Sequence, residues 1–201
     1  MSKEQQPHSN SSEQEASHEH IAATTPRIYV ASLSDYNNGH LHGIWLDADR
    51  EPEDVHADIQ TMLAQSHDPG AEEFAIHDFE GFGEARIDEY DSIELVTRIA
   101  RGIAEHGLAF AAWANVQDDD EASLDQFTDA YIGHYDSVDT YAEQLIDDLG
   151  YQQLLDDSVP ESLRPYARID TEALARDMLL EGDLHAIPAD DGGVWLFDGR
   201  I

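Results

Sequence analysis

Four groups of residues in this 201-residue chain have types and spacings from which chemistry is commonly built. Asp47, Asp49 and Glu51 alternate as the oxygens of a calcium loop do. The sixth position, however, is Pro52 where that loop needs glycine for its sharp turn, and the twelfth is Asp58 rather than a bidentate glutamate. The segment therefore reads as a strand-to-helix connection with an acidic helix start. His40 and His42 would put two imidazoles on one face of a strand, but no third ligand is recognisable, so they read as surface histidines. His18 and His20 lie in the polar N-terminal stretch and would hold a metal only adventitiously. His77 beside Asp78 has the form of an acid/base pair, yet with 44 Asp and Glu in the chain any histidine has a carboxylate nearby. No phosphate-cradling glycine loop, Gly-x-Ser-x-Gly elbow or His-Glu-x-x-His motif occurs. Neither an enzyme nor a cofactor or metal site is expected.

What remains is the chemistry of the carboxylate itself. The 44 acids stand against 10 Lys and Arg, a formal net charge of −34. A conventional nucleic-acid binder needs a basic surface to neutralise phosphates, and this chain has almost no cations to build one. Anionic lipid would repel it for the same reason, so membrane association is not expected either. Hydrophobic residues make up 41%, including three Trp, eight Tyr and six Phe, too much for an acidic tail without a core. With no cysteine there is no disulfide and no thiolate metal site. No apolar run is long enough to span a bilayer and the start of the chain lacks a secretory apolar region, so a cytoplasmic protein is expected.

The charge is unevenly spread. Residues 1–26 carry a net −3, residues 27–116 a net −13, residues 117–191 a net −18, and the last ten residues are neutral. Four units are expected: a disordered tail over 1–25, an N-terminal α+β domain over 26–83, a helical domain over 84–118 and an acidic α+β domain over 119–201 closed by a hairpin. The class is α+β, an elongated chain of two to three small units with short antiparallel strands. Within it, Arg27–Ser32, 41–46 and 73–78 read as strands, the first two separated by a turn-rich loop over 35–39. Pro52 sits in the first turn of a helix whose apolar positions are Val55, Ile59, Met62 and Leu63. Asp91 and Glu94 bracket a capping box for a helix ended by Gly107, and Leu108–Val116 is a short buried helix. Ser123 and Gln126 suggest a second capping box opening a helix to Tyr131, Ser137 caps another ended by Gly150, and 170–181 is a third with Leu174, Met178 and Leu179 inside. Leu184–Pro188 and Val194–Asp198 form the closing hairpin.

Two of these helices carry acidic stripes. Glu121, Asp125 and Asp129 recur every four residues opposite Leu124, Phe127 and Tyr131; Asp139, Glu143 and Asp147 do so opposite Val138, Tyr141, Leu145 and Leu149. Each like-charge i,i+4 pair costs about 0.2–0.5 kcal/mol, so the stripes do not help the helices form. The helix from 91 to 105 differs, since Glu94 precedes Arg98 and Arg101 precedes Glu105 by four residues. Four residues are about 6 Å of helix rise, while B-DNA presents one charge every ~3.4 Å per strand. The −31 carried outside the first 26 residues equals the charge of roughly 53 Å of duplex. Adaptation to high salt, plain solubility, and sequestration of basic nucleic-acid-binding proteins are the other readings of the same acidity.

The residues themselves also resemble a family. Pro26-Arg-Ile-Tyr-Val-Ala31, Tyr36-Asn-Asn-Gly39, Leu41-His-Gly43, Trp45, Asp47 and Glu73-Phe-Ala-Ile-His-Asp-Phe-Glu-Gly-Phe82 look like the ArdA antirestriction proteins. So do Phe127-Thr-Asp-Ala-Tyr131, Gly133, Tyr135-Asp-Ser137, Pro160, Tyr166, Ala175-Arg-Asp177 and Gly192-Gly-Val-Trp-Leu-Phe197, extending the resemblance over about 26–198. The resemblance implies a dimeric DNA mimic carried on plasmids and conjugative transposons, which occupies the DNA-binding groove of type I restriction-modification enzymes. The family's antirestriction motif maps near 124–139, where the family pattern has Glu after the glycine and this chain has His134. The carboxylates expected to imitate phosphates are Asp118, Asp119, Asp120, Glu121, Asp125, Asp129, Asp136, Asp139, Glu143, Asp147 and Asp148. Leu184, Trp195 and Phe197 are candidates for dimer contacts, or else close the C-terminal core.

Overall fold

Apolar residues at alternate positions make Arg27–Ser32 (β1) the central strand of a three-stranded sheet, with Ile28 and Val30 fully buried. The sheet is antiparallel with order β2-β1-β3, where β2 is Gly43–Asp47 and β3 is Phe74–Glu80. A computed structural model describes residues 25–117, 121–190 and 192–201. The N-terminal stretch, the acidic run Asp118, Asp119 and Asp120, and the side chain of Glu121 lie outside the described residues.

The helix Pro52–Leu63 (α2) starts with proline in its first turn and buries Val55, Ile59, Met62 and Leu63, the four positions its spacing picks out. Ile93–His106 (α3) is capped one residue later than its sequence suggests: Ser92, not Asp91, accepts from a backbone amide, that of Leu95 at 3.1 Å. Asp91 instead accepts from the backbone of Asp88. Gly107 ends α3 and opens the buried helix Leu108–Val116 (α4). These two helices pack closely because Gly102 has no side chain; a Cβ there would run into the ring of Phe110. The loop expected over 35–39 is in part a short helix, Leu33–Asn37 (α1), because the Ser32 hydroxyl caps it through the Asp35 amide.

The larger departure is at 121–131. The single helix expected there is two one-turn helices, Glu121–Leu124 (α5) and Phe127–Ala130 (α6), followed directly by a strand, Tyr131–Tyr135 (β4). Short helices are intrinsically marginal, and tertiary packing decides here. The indole of Trp113 donates to the Ser123 carbonyl, which an uninterrupted helix would have used for itself. Aromatic and β-branched residues in β4 favour the pleated surface that Val194–Asp198 (β6) offers. Glu121, Asp125 and Asp129 are therefore not one helical ladder.

The second sheet has order β4-β6-β5, with Leu184–Pro188 (β5) and β6 forming the expected hairpin. Val138–Asp148 (α7) and Thr171–Leu180 (α9) pack on each other. Between them lie two elements that bury no residue, Tyr151–Ser158 (α8) and a 3-10 segment, Glu161–Tyr166. The orientation of α7 and α9 also differs from expectation. Small residues are the buried ones, Ala142 with Ile146 on α7 and Ala175 on α9. Val138, Tyr141, Leu145, Leu174 and Met178 are half-buried beside them, while Leu149 and Leu179 are 50% and 41% exposed. One connected set of buried side chains runs from Ile28 through α2, α3 and α4 to Leu124, Phe127, Trp195 and Phe197.

Candidate partner-binding surface

Helix α7 is the most regular acidic element. The Ser137 hydroxyl caps it by accepting from the Thr140 amide at 3.1 Å, and burial of Ala142 and Ile146 fixes its rotation. That rotation turns Asp139, Glu143, Asp147 and Asp148 outward, and Asp136 just before the cap is exposed as well. Among the described residues, no Lys, Arg or His pairs with Asp136, Asp139, Glu143 or Asp147.

The polarity of the acids is as informative as their exposure. A helix N-terminus favours negative charge by about 0.3–1 kcal/mol and the C-terminus disfavours it by a similar amount. Helix α2 follows the rule, with Glu53 and Asp54 in its first turn and no acid in its last, whereas α9 adds Asp177 in its last turn to Glu172 in its first. Helix α7 puts Asp147 and Asp148 in its last turn with no basic residue there, and α8 has no acid in its first turn but Asp156 and Asp157 near its end. Folding gains nothing from that placement. What supports these turns is neutral: Gln152 and Gln153 donate amide hydrogens to Asp156 and Asp157 at 2.9 and 3.1 Å, and Gln144 lies 3.5 Å from Asp148. A glutamine four residues before an aspartate contributes about 0.2–0.5 kcal/mol without cancelling its charge. The sequence reading missed Asp156 and Asp157; two Gln-x-x-x-Asp pairs in register were the available signal.

The N-terminal half treats its acids differently. Arg50 pairs with Asp58 at 2.7 Å, Arg101 with Glu51 at 2.8 Å, and Arg27 lies between Asp47 and Glu80. The expected pairing inside α3 is replaced by pairing between elements. Arg98 reaches Asp125 rather than Glu94, Arg101 reaches Glu51 rather than Glu105, and Glu94 takes His56. Of the proposed phosphate mimics, Asp125 thus has a guanidinium beside it, whereas Asp129 is simply exposed. The resemblance of Asp47, Asp49 and Glu51 to a calcium loop ends the same way, since Asp47 and Glu51 are both held by arginine.

His40 and His42 lie before β2 rather than on a strand face. The ring of His40 stacks on His67 with centroids 4.9 Å apart, and His42 Nε2 hydrogen-bonds to the Met62 carbonyl at 2.8 Å. His77 sits against the ring of Tyr36 and 4.0 Å from Glu89. The titratable group of note here is Asp35, whose side chain is 1% exposed. Its carboxylate accepts from the Ser66 hydroxyl at 2.6 Å, and from the backbone and ring of His67 at 3.2 and 3.0 Å. The Ser66 bond above all, with Ser32 and His67 behind it, outweighs burial and holds this carboxyl at about 2, below its ordinary 3.8. A depressed carboxyl stabilises the fold above its unfolded value and loses that contribution as pH falls through the folded one. The stability difference between the wild type and Asp35→Asn is therefore expected to be full at neutral pH and to shrink between pH 4 and pH 2. Urea titrations at several pH values measure it; a constant difference across that window would refute the assignment.

Leu184, Trp195 and Phe197 are 3%, 9% and 0% exposed, within the chain's own core. His134 places Nε2 2.8 Å from the Gly192 carbonyl and so ties β4 to the turn of the hairpin.

The α+β fold thus pairs Asp47, Glu51, Asp58 and Glu80 of its N-terminal half with arginine, while the exposed α7 acids Asp136, Asp139, Glu143 and Asp147 have no such partner among the described residues. The family model described as Antirestriction protein (ArdA) matches residues 28–190, and the chain belongs to that family. Comparison with curated proteins returned no match.

Proposed function

We propose that this antirestriction protein works as a DNA mimic: it occupies the DNA-binding groove of a type I restriction-modification enzyme and excludes DNA. The observation that carries the reading is the α7 array, in which Asp136, Asp139, Glu143 and Asp147 are exposed and unpaired among the described residues, and in which Asp147 sits against the dipole of its own helix. The groove of such an enzyme presents Lys and Arg that displace counterions from phosphates. Carboxylates held on a rigid helix satisfy those cations while offering no base edge to read and no backbone to cut. Because charge and not sequence makes the contact, inhibition is independent of the recognition sequence. Acid on capped helices also favours this reading over a chaperone-like sequestering protein, for which an unstructured acidic segment suffices.

The protein acts as a homodimer on this reading. In the C-terminal half Leu149, Tyr151, Leu154, Leu163, Tyr166 and Leu180 are between 47% and 84% exposed, an apolar surface suited to a second copy. A single-chain mass in sedimentation equilibrium would exclude it.

The test is cleavage of unmodified DNA by a purified type I enzyme with increasing amounts of this protein. Inhibition is expected to be competitive with DNA and to weaken steeply as salt rises. The same salt is expected to raise the melting temperature of the inhibitor, because it screens the repulsion within a chain of net charge −34. Full cleavage at stoichiometric excess in low salt would sink the proposal, as would inhibition that salt does not touch.

A further inference from the structure

The N-terminal sheet buries Ile28, Val30 and Leu46 on one face. Strand register puts a different set on the other. Arg27 on β1 is opposite Asp47 on β2 and Glu80 on β3; one rung along, Tyr29 is opposite Trp45 and Asp78. These rungs are built alike at one end and left open at the other. The Arg27 guanidinium lies over the Trp45 ring, 5.5 Å from its centroid, with Nε 3.1 Å from Asp47 and Nη1 3.3 Å from Glu80. The next rung has an aromatic pair, Tyr29 and Trp45 with centroids 5.6 Å apart, and an exposed carboxylate, Asp78, but no cation of its own. Tyr29 is held flat over the sheet because Gly43 leaves room for it; a Cβ there would lie 2.9 Å from the phenol ring. Trp45 is 37% exposed, whereas Trp113 and Trp195 are 1% and 9% exposed.

We propose that this face is a docking site for an arginine side chain of a basic partner protein, the guanidinium stacking on Tyr29 and Trp45 and pairing with Asp78. Arg27 shows the arrangement already made once within the chain. A planar guanidinium stacks on an aromatic face and pairs with a carboxylate at the same time, which a compact ammonium does less well. Asp78 has no cation beside it among the described residues, and Asp47 and Glu80 share the single charge of Arg27, so the face stays net negative and attracts basic partners; exposed Trp, Tyr and Arg are the residue types on which protein interfaces concentrate their binding energy. The site adds to the carboxylate array a contact that discriminates arginine from lysine, which phosphate mimicry alone does not. It rests on the antirestriction reading only in taking the partner to be a basic protein.

The experiment titrates the full chain with nona-arginine and with nona-lysine at about 0.3 M salt, where exposed charges are screened beyond roughly 6 Å. Acrylamide quenching of tryptophan emission is the readout, since the two buried indoles contribute little to it. Nona-arginine is expected to shield Trp45 from acrylamide, and nona-lysine at equal saturation to shield it much less. Asp78→Asn, which leaves the indole in place, is expected to weaken nona-arginine binding by about threefold in this readout, and Trp45→Leu, at an exposed position, to do so by titration calorimetry, while the preference for nona-arginine over nona-lysine is lost in both. Equal protection by the two peptides, or variants that bind nona-arginine like the wild type, would overturn the site. Loss of restriction inhibition with arginine discrimination retained would sink the antirestriction mechanism and leave the docking site standing.

Discussion

Replacing Asp136, Asp139, Glu143 and Asp147 together with Asn, Asn, Gln and Asn is expected to weaken inhibition of a type I enzyme on the order of a hundredfold. Exposed ion pairs contribute about 0.2–1 kcal/mol each, so four lost at once amount to roughly 2 kcal/mol or more. Any one of the four substitutions alone is expected to change inhibition by only about two- to fivefold. The dependence of inhibition on salt is expected to flatten in the quadruple variant, since fewer cations on the enzyme are engaged. Stability moves little or in the opposite direction. Removing the repulsions of Asp139 with Glu143 and of Glu143 with Asp147 helps the helix by about 0.2–0.5 kcal/mol each. Neutralising Asp147 at the C-terminus helps, and neutralising Asp139 at the N-terminus costs, by similar amounts. A variant that melts at or above the wild-type temperature yet inhibits poorly separates function from folding. If it inhibits like the wild type, the α7 array is not the contact surface.

Phe127→Ala is expected to destabilise the protein by about 3–5 kcal/mol in urea titration, the range for emptying a buried aromatic site. Phe127 is 3% exposed and its ring lies 4.8 Å from His106, 5.1 Å from Phe110 and Tyr131, and 6.1 Å from Phe197. It therefore touches α3, α4, β4 and β6 at once and joins the helical part of the core to the second sheet. Domains in this size range are stable by only about 5–15 kcal/mol, so the variant is expected to lie close to unfolding at 37 °C. A loss below about 1 kcal/mol would mean that the two parts of the core are not joined through this ring.

The elements that the sequence made legible are those whose own residues carry the signal. In α2 the proline start and the four apolar positions coincide with what is buried, and in α7 the Ser137 cap and the acidic spacing stand as the pattern requires. The terminal hairpin follows from two β-rich runs about a glycine turn. What was not legible depended on partners distant in the chain. Tyr131 belongs to a strand because β6 lies beside it, although the helical spacing from Glu121 is as regular as that of α7. Arg98 and Arg101 have acids four residues away in their own helix and pair instead with Asp125 and Glu51, because tertiary contact brings those closer. Helix α8 escaped notice because it spans only eight residues, too few for its apolar positions Tyr151, Leu154 and Leu155 to repeat, and it buries none of them.

Composition and local spacing by themselves determined that this is an α+β protein of extreme negative charge, with its acid on capped helices and most concentrated in the C-terminal half. Charge counts and caps are local, and the chain carries them whatever its neighbours do. Only the tertiary structure decided which carboxylates remain free. Burial of Ala142 and Ile146 turns the α7 acids outward, while arginines arriving from other elements claim Asp47, Glu51, Asp58 and Glu80 in the N-terminal half. A carboxylate is available to a partner only when nothing in its own fold has claimed it, and that depends on contacts between residues that are far apart in sequence.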